Sequence, residues 1–161
     1  FGTGARPEES YPHVLSGLIG REVVNAGVPG EISAAGLQRL PGVLEATRPR
    51  LVILCHGGND ILRKRSPAAA ASNLRAMIQR IRDAGADVVM LSVPGRSLTL
   101  SRPDYYSEIA EEMNVPIDDD IVPSLLRDNR FKSDAVHPNA AGYREMAQAV
   151  AALLKEAGAL P

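Results

Sequence analysis

Short apolar runs alternate with amphipathic stretches along this chain. Three runs are typical of β-strands, at residues 22–24, 51–55 and 87–93, and a weaker candidate lies at residues 115–117. The runs at 51–55 and 87–93 are apolar with little alternation, which is typical of parallel strands that are buried on both faces. The pattern therefore predicts a parallel sheet rather than a half-exposed antiparallel one.

Amphipathic helices are predicted between these runs. Ser66 followed by Pro67 is typical of an N-cap and a first helical turn, and apolar residues then recur at helical spacing until Gly85 ends the helix. Three further helices are predicted. The first extends from a cap at Ser33 through Leu44, with Pro41 kinking or interrupting it. The second covers residues 105–113, and the third begins at Pro138.

This order of elements predicts one α/β domain over residues 1–161, a three-layer α/β/α sandwich with a mostly parallel sheet. Ligands of such sheets bind at the carboxyl ends of the strands. Functional residues are therefore expected directly after the predicted strands.

Composition and charge narrow the function classes. The 161 residues are 45% hydrophobic and 23% charged, which is typical of a globular domain. The formal net charge of −1 does not indicate the basic surface that nucleic-acid binding requires. No apolar run approaches the length of a membrane span. Cys55 is the only cysteine, which excludes an intrachain disulfide and a cysteine-based zinc site. The acidic run at residues 118–120 is interpreted as a solvated or helix-capping segment rather than a metal site.

The segment Asp134-Ala135-Val136-His137-Pro138 combines an acid and a histidine on a predicted loop. An acid three residues before a histidine can accept a hydrogen bond from its Nδ1–H, which leaves Nε2 as a general base. The alternative is an ordinary loop histidine beside a helix-capping acid. The segment by itself does not decide between them.

Two glycine-containing segments follow predicted strands. Gly57-Gly58-Asn59-Asp60 places an amide side chain after a buried strand, where it could donate hydrogen bonds to developing negative charge. Gly30, in the segment at residues 25–31, offers an unhindered backbone N–H. Each segment taken alone is equally compatible with a simple turn.

Together the three segments resemble the SGNH-hydrolase family of GDSL esterases and lipases, and within it the bacterial thioesterase I, arylesterase and lysophospholipase group. Residues 24–31 and 36–41 are similar to the second block of that family, residues 57–60 to its third and residues 134–138 to its fifth. The resemblance covers nearly the whole chain and implies a flavodoxin-like sheet.

The resemblance implies a role for each matching residue. His137 would be the general base and Asp134 its orienting acid, while the Gly30 N–H and the Asn59 amide would be oxyanion-hole donors. His56 and Tyr105 are further candidates for substrate contact. No metal and no organic cofactor is implied.

The family's nucleophilic serine belongs to a Gly-Asp-Ser-Leu block at the end of its first strand. That block is absent from the given sequence, and residues 1–4 are similar to the positions just beyond it. We therefore expect the serine and the first strand to precede Phe1 in the working protein. Cys55, within an apolar strand, is a poor substitute nucleophile.

The function implied is hydrolysis of small or medium acyl esters or thioesters through an acyl-enzyme. Two alternatives stay open: a non-catalytic acyl- or carbohydrate-binding relative without the serine, and an acyltransferase that uses the same site. We expect a monomer or small homo-oligomer that acts on a small molecule, without nucleic acid and without a membrane span. The segment at residues 94–106 is the predicted specificity loop. The sequence leaves the compartment open between cytoplasm, periplasm and secretion.

Overall fold

The structure, a computed structural model, describes residues 1–95 and 102–161. Its chain divides into two compact units: the sheet unit, Gly30–Asp119, and the helical unit, Phe1–Pro29 with Asp120–Pro161. In chain order the helices and strands are α1 (Tyr11–Ile19), α2 (Ser33–Thr47), β1 (Leu51–Cys55), α3 (Gly58–Leu62), α4 (Pro67–Asp83), β2 (Asp87–Leu91), α5 (Tyr105–Glu112), β3 (Ile117–Asp118), α6 (Ile121–Arg127) and α7 (Ala140–Glu156).

The sheet unit contains parallel strands in the order β1-β2-β3. Leu51 of β1 lies opposite Asp87 of β2, and Met90 of β2 lies opposite Ile117 of β3. The predicted parallel sheet is therefore confirmed. Strand β3 begins at Ile117, two residues later than the predicted run at 115–117. Pro116 has no N–H, and its carbonyl oxygen accepts the Met90 N–H at 2.8 Å.

The core of the sheet unit lies between the sheet and its helices. As predicted, α4 follows Ser66, whose hydroxyl oxygen accepts the Ala69 N–H at 3.3 Å, and the chain turns at Gly85 with φ of +79°. The apolar face of α4 is fully buried where it packs against α2 and β2. These contacts hold α2 and β2 against the same helix.

Helix α2 differs from its prediction both at the predicted Ser33 cap and at Pro41. Ile32, rather than Ser33, occupies the N-cap position, and Ser33 is the first residue of the helix. Pro41 lies inside α2 without interrupting it. Ser33 is fully buried and its side chain contacts another segment, as described below, so it is not available as a local cap.

In the helical unit, α1 and α6 pack against α7. The prediction that this last helix begins at Pro138 is wrong: α7 begins at Ala140, and the side chain of Asn139 caps it by accepting the Gly142 N–H at 3.0 Å. Pro138 instead forms an antiparallel bridge with Lys132. Because this bridge needs extended backbone, the helix cannot start before it ends.

The prediction of a strand at residues 22–24 is also wrong. Residues 22–28 have no regular secondary structure, and the Val24 side chain is 52% exposed. A strand needs a neighbouring backbone, and none of the strand pairs in the described part of the chain includes this run. Two valines are too short a run to provide a buried face on their own.

None of the helices in residues 1–95 and 102–161 combines the length and the apolar character that a membrane span requires.

Candidate active site

In the helical unit, the loop that connects the bridge partners Lys132 and Pro138 brings Asp134 and His137 together. Asp134 Oδ2 lies 2.8 Å from His137 Nδ1, and Asp134 Oδ1 accepts the backbone N–H groups of Val136 and His137 at 2.8 and 2.9 Å. Both carboxylate oxygens are therefore used within one four-residue loop. This arrangement orients the imidazole ring from two sides, through its backbone and through its ring nitrogen.

The hydrogen bond determines which ring nitrogen of His137 is left for chemistry. A carboxylate is an acceptor only, so Nδ1 carries the proton in this bond and Nε2 has its lone pair available. The His137 side chain is 37% exposed. Hydrogen bonds from the Val136 N–H and then from His137 hold the pKa of Asp134 below its usual value. The acid thus stays ionised beside the imidazole at neutral pH.

In the sheet unit, Gly30 has a left-handed backbone conformation, with φ of +74°. Its carbonyl oxygen accepts a hydrogen bond from Arg63 Nη2 at 2.9 Å. Its own N–H makes no hydrogen bond to the residues that the structure describes. Because a side chain would be strained at this φ, glycine allows the turn that leaves this N–H available.

Asn59 lies in the short helix α3, directly after β1. Gly57 precedes it with φ of +99°, and a Cβ at Gly57 would lie 2.6 Å from the Tyr106 hydroxyl. Glycine is therefore required at position 57 both by conformation and by close contact. Within the described residues the Asn59 side chain makes no hydrogen bond. Its amide is thus a second available donor in the sheet unit.

An ionic cluster lies next to Gly30. The Glu31 carboxylate forms a two-bond ion pair with Arg39, at 2.8 and 2.9 Å, and its Oε2 lies 3.3 Å from His56 Nε2. The Glu31 side chain is only 9% exposed. The paired Arg39 guanidinium is the main reason why the pKa of Glu31 is lowered.

His56 has partners at both ring nitrogens. The Gly57 N–H donates to His56 Nδ1 at 2.9 Å, so the proton of the neutral ring lies on Nε2 and points to Glu31. The Tyr106 hydroxyl donates to the His56 carbonyl oxygen at 2.7 Å. The predicted substrate contact of His56 stays a prediction; in this structure the ring joins Glu31 to the start of the Gly57 turn.

A second buried pair joins the same two segments. The Ser33 N–H donates to Asp60 Oδ2 and the Ser33 hydroxyl to Asp60 Oδ1, each at 2.7 Å. Asn73 Nδ2 of α4 donates to the Ser33 hydroxyl oxygen at 2.9 Å. Asp60 is 4% exposed and Ser33 is fully buried.

Tyr105, the other predicted substrate-contact residue, lies at the start of α5 with its ring 4.6 Å from that of Tyr106. Its hydroxyl is buried and has no hydrogen-bond partner among the described residues. Burial raises the pKa of this phenol. Of the predicted specificity loop at 94–106, residues 96–101 lie outside the described part of the chain.

Cys55 ends β1 and is partly buried. Burial raises the pKa of its thiol to about 11, which disfavours the reactive thiolate. In residues 1–95 and 102–161 no cluster of three metal-ligating side chains occurs.

The candidate residues thus form two groups. Asp134 and His137 belong to the helical unit, whereas Gly30 and Asn59 belong to the sheet unit. Sequence reasoning missed Ser33, Asp60 and Glu31 as buried hydrogen-bonding residues. The only signal in the sequence was an acid beside each proposed donor, Glu31 after Gly30 and Asp60 after Asn59.

Comparison with known proteins agrees with the resemblance noted in the sequence. Residues 1–145 match the model of the GDSL-like lipase/acylhydrolase family. The chain is 32% identical over 123 residues to the Escherichia coli K12 protein named thioesterase 1/protease 1/lysophospholipase L1, covering 73% of this chain and 59% of that protein. It therefore spans about three fifths of the length of that relative.

Two further matches cover a larger share of the matched protein. The Vibrio mimicus protein named arylesterase is 30% identical over 155 residues, which are 89% of this chain and 78% of that protein. The crystal structure of TesA matches with a TM-score of 0.81 and 29% identity, covering 96% of this chain and 92% of that one. These matches confirm the predicted fold class, α/β with a parallel sheet of the SGNH-hydrolase type.

Proposed function

Because the chain belongs to the GDSL-like lipase/acylhydrolase family, we propose that the protein hydrolyses carboxylic esters or thioesters of small to medium acyl groups through a serine acyl-enzyme. The observation that carries the proposal is the hydrogen bond of 2.8 Å between Asp134 Oδ2 and His137 Nδ1. A histidine held by an ionised acid, with Nε2 available, is the general base that a serine nucleophile requires.

Gly30 and Asn59 supply the oxyanion hole in this proposal. The backbone N–H of Gly30 and the side-chain amide of Asn59 are donors without partners in the described residues. Such donors stabilise the negative charge that develops on a carbonyl oxygen in the transition state. Two neutral donors suit an oxyanion that forms and disappears in each catalytic cycle, since they do not bind it permanently.

The nucleophile in this proposal is the serine of the family's Gly-Asp-Ser-Leu block. His137 Nε2 removes the hydroxyl proton as the serine oxygen bonds to the acyl carbon. The carbon–oxygen or carbon–sulfur bond to the leaving group then breaks, and the leaving group takes that proton. Water attacks the acyl-enzyme in the same way, with His137 again as base.

The substrate class follows from the names of the relatives. One is named a thioesterase and lysophospholipase and another an arylesterase, so an acyl ester or thioester is the shared chemistry. We propose a small-molecule substrate and a monomer or small homo-oligomer. Light scattering after gel filtration measures that assembly.

The test uses the full chain together with a fluorophosphonate probe, which reacts with an activated serine. The intact mass should increase by one adduct, and peptide mapping should place it on the serine of the Gly-Asp-Ser-Leu block. The His137→Ala variant should not react. The matched control is His13→Ala in α1, whose exposed histidine is outside the proposed machinery and should react normally.

The other outcomes separate the alternatives. Ligand binding without an adduct and without turnover would contradict the hydrolase and favour a non-catalytic binding relative. Transfer of the acyl group to an added alcohol in preference to water would instead assign an acyltransferase. An adduct on Cys55 would overturn the choice of nucleophile.

A further inference from the structure

The segments that carry the two proposed oxyanion donors are tied together by buried side chains. Glu31 and Ser33 follow Gly30, while His56 and Asp60 bracket the turn with Asn59. Glu31 contacts His56 across 25 residues of sequence, and Ser33 contacts Asp60 across 27.

The Ser33–Asp60 pair is the more restrictive of the two links. Both carboxylate oxygens of Asp60 accept from one residue, one from its backbone N–H and one from its hydroxyl, at 2.7 Å each. A single hydrogen bond leaves rotation about its axis, whereas two bonds to one residue define both distance and orientation. The backbone of the Gly30 segment is thus held directly by the residue next to Asn59.

Burial of the Asp60 carboxylate costs free energy of folding, so stability alone does not explain an acid at this position. A buried carboxylate loses its hydration, and its partner Ser33 is neutral. No cation lies within ion-pair distance of Asp60 in the part of the chain that the structure describes. An apolar pair of similar size would fill the same space without the desolvation cost. What the carboxylate adds is a defined geometry.

We propose that Asp60 is a positioning residue that, through Ser33, fixes the Asn59 amide relative to the Gly30 N–H. Oxyanion stabilisation depends on donors being preorganised at hydrogen-bond distance, so a displacement of a fraction of an ångström weakens it. This inference rests on the proposed function, in which Gly30 and Asn59 are the donors. Asp60 itself touches no reacting atom.

The test measures kcat and KM of the full chain on a p-nitrophenyl ester. Ser33→Ala removes the hydroxyl bond to Asp60, and Asp60→Asn keeps an acceptor for the Ser33 N–H but removes the charge. Each variant should lower kcat by about tenfold with little change in KM, because geometry is lost while the substrate still binds. Asp60→Asn also covers the case in which Ser33→Ala does not fold.

The matched control is Ser92→Ala. Ser92 is also fully buried, and its hydroxyl donates to the Asp119 carbonyl oxygen at 3.0 Å. Ser92→Ala removes one hydrogen bond of a buried hydroxyl, whereas Ser33→Ala removes two, the bond to Asp60 and the bond from Asn73. Both variants should lower the melting temperature, Ser33→Ala by the larger amount. Only Ser33→Ala should lower kcat. An equal loss of kcat in both would overturn the proposal, since general loosening would then explain it.

A double-mutant cycle with Asn59→Ala provides the decisive readout. If Asp60 acts through Asn59, Ser33→Ala should lower kcat in the native background and have little further effect once Asn59 is alanine. Equal losses in both backgrounds would overturn the positioning role. An unchanged kcat in Asn59→Ala alone would instead overturn the oxyanion assignment. A loss in Asn59→Ala with none in Ser33→Ala would overturn only the positioning inference.

Discussion

The Asp134–His137 loop and the Gly30–Asn59 segments differ in how they achieve their geometry. The loop is a local structure: the two side chains are three residues apart, and both are more than one-third exposed. The donor segments are held by contacts between residues 25 to 27 positions apart. These contacts are made by the buried Ser33 and Asp60 and by the part-buried Glu31 and His56.

The difference shows two ways to orient a functional group. In the short loop, one carboxylate orients the ring through its Nδ1 and through two neighbouring backbone N–H groups, all within four residues. Two distant donors need a packed interior, because their spacing depends on which helix and strand lie together. Variants of the loop should therefore affect chemistry alone, and variants of the buried links should affect chemistry and stability together.

The largest expected effect is that of His137→Ala in the full chain. Removal of the proposed general base should lower kcat for a p-nitrophenyl ester by about 10⁶-fold, the loss seen when the histidine of a serine-protease triad is removed. Because the side chain is partly exposed and its bond among the described residues is to Asp134 of the same loop, the melting temperature should change little. Steady-state kinetics and a thermal melt check both points. Near-native turnover would show that another group is the base.

Asn59→Ala should have the next largest effect, since it removes one oxyanion donor. We expect kcat to fall by about 10²–10³-fold with a smaller change in KM. Asn59→Asp sharpens the test because the side chain keeps its shape but loses its donor hydrogens. If the aspartate variant retained native kcat, the amide would not be donating to the oxyanion.

Glu31→Gln should mainly affect stability and its pH dependence. The pKa of Glu31 is lowered by Arg39, so the ionised acid stabilises the fold above its ordinary pKa of about 4.3, and this contribution is lost as pH falls below that value. At pH 7 the variant should be less stable by about 1–2 kcal/mol. In acid the two proteins should converge.

Urea unfolding at pH 7 and below pH 4 measures this difference. Glu156→Gln is the matched control, because Glu156 is an exposed residue at the end of α7. It should show the same stability as the native chain at both pH values. A constant deficit of Glu31→Gln across the pH range would mean that its ionisation does not stabilise the fold.

The smallest effect on activity is expected for Cys55→Ala, which should keep kcat within about twofold. The partly buried cysteine serves as a small apolar side chain at the end of β1. With a pKa of about 11, roughly one thiol in a thousand is ionised at pH 8. Iodoacetamide should therefore label the native protein slowly and the urea-unfolded protein fast. Fast labelling of the native protein would contradict the burial of this thiol.

Prediction from sequence succeeded where the signal is local. The cap at Ser66 and the turn at Gly85 delimit α4, and the apolar runs at β1 and β2 lie where they were expected. It failed where a tertiary contact overrides the local pattern. The Lys132–Pro138 bridge delays the start of α7, and residues 22–24 pair with none of the strands in the described part of the chain.

The amino-acid pattern alone was enough for the α/β class, for the parallel sheet and for the spacing that lets Asp134 reach His137. It showed nothing of the link between Ser33 and Asp60, and it suggested a helix cap at Ser33 instead. Helix capping and hydrophobic periodicity depend on residues a few positions apart and can therefore be recognised in the sequence. The partners of a buried polar group depend on which faces pack together. Only the folding of α2 and α3 around the end of β1 decided that Ser33 would meet Asp60.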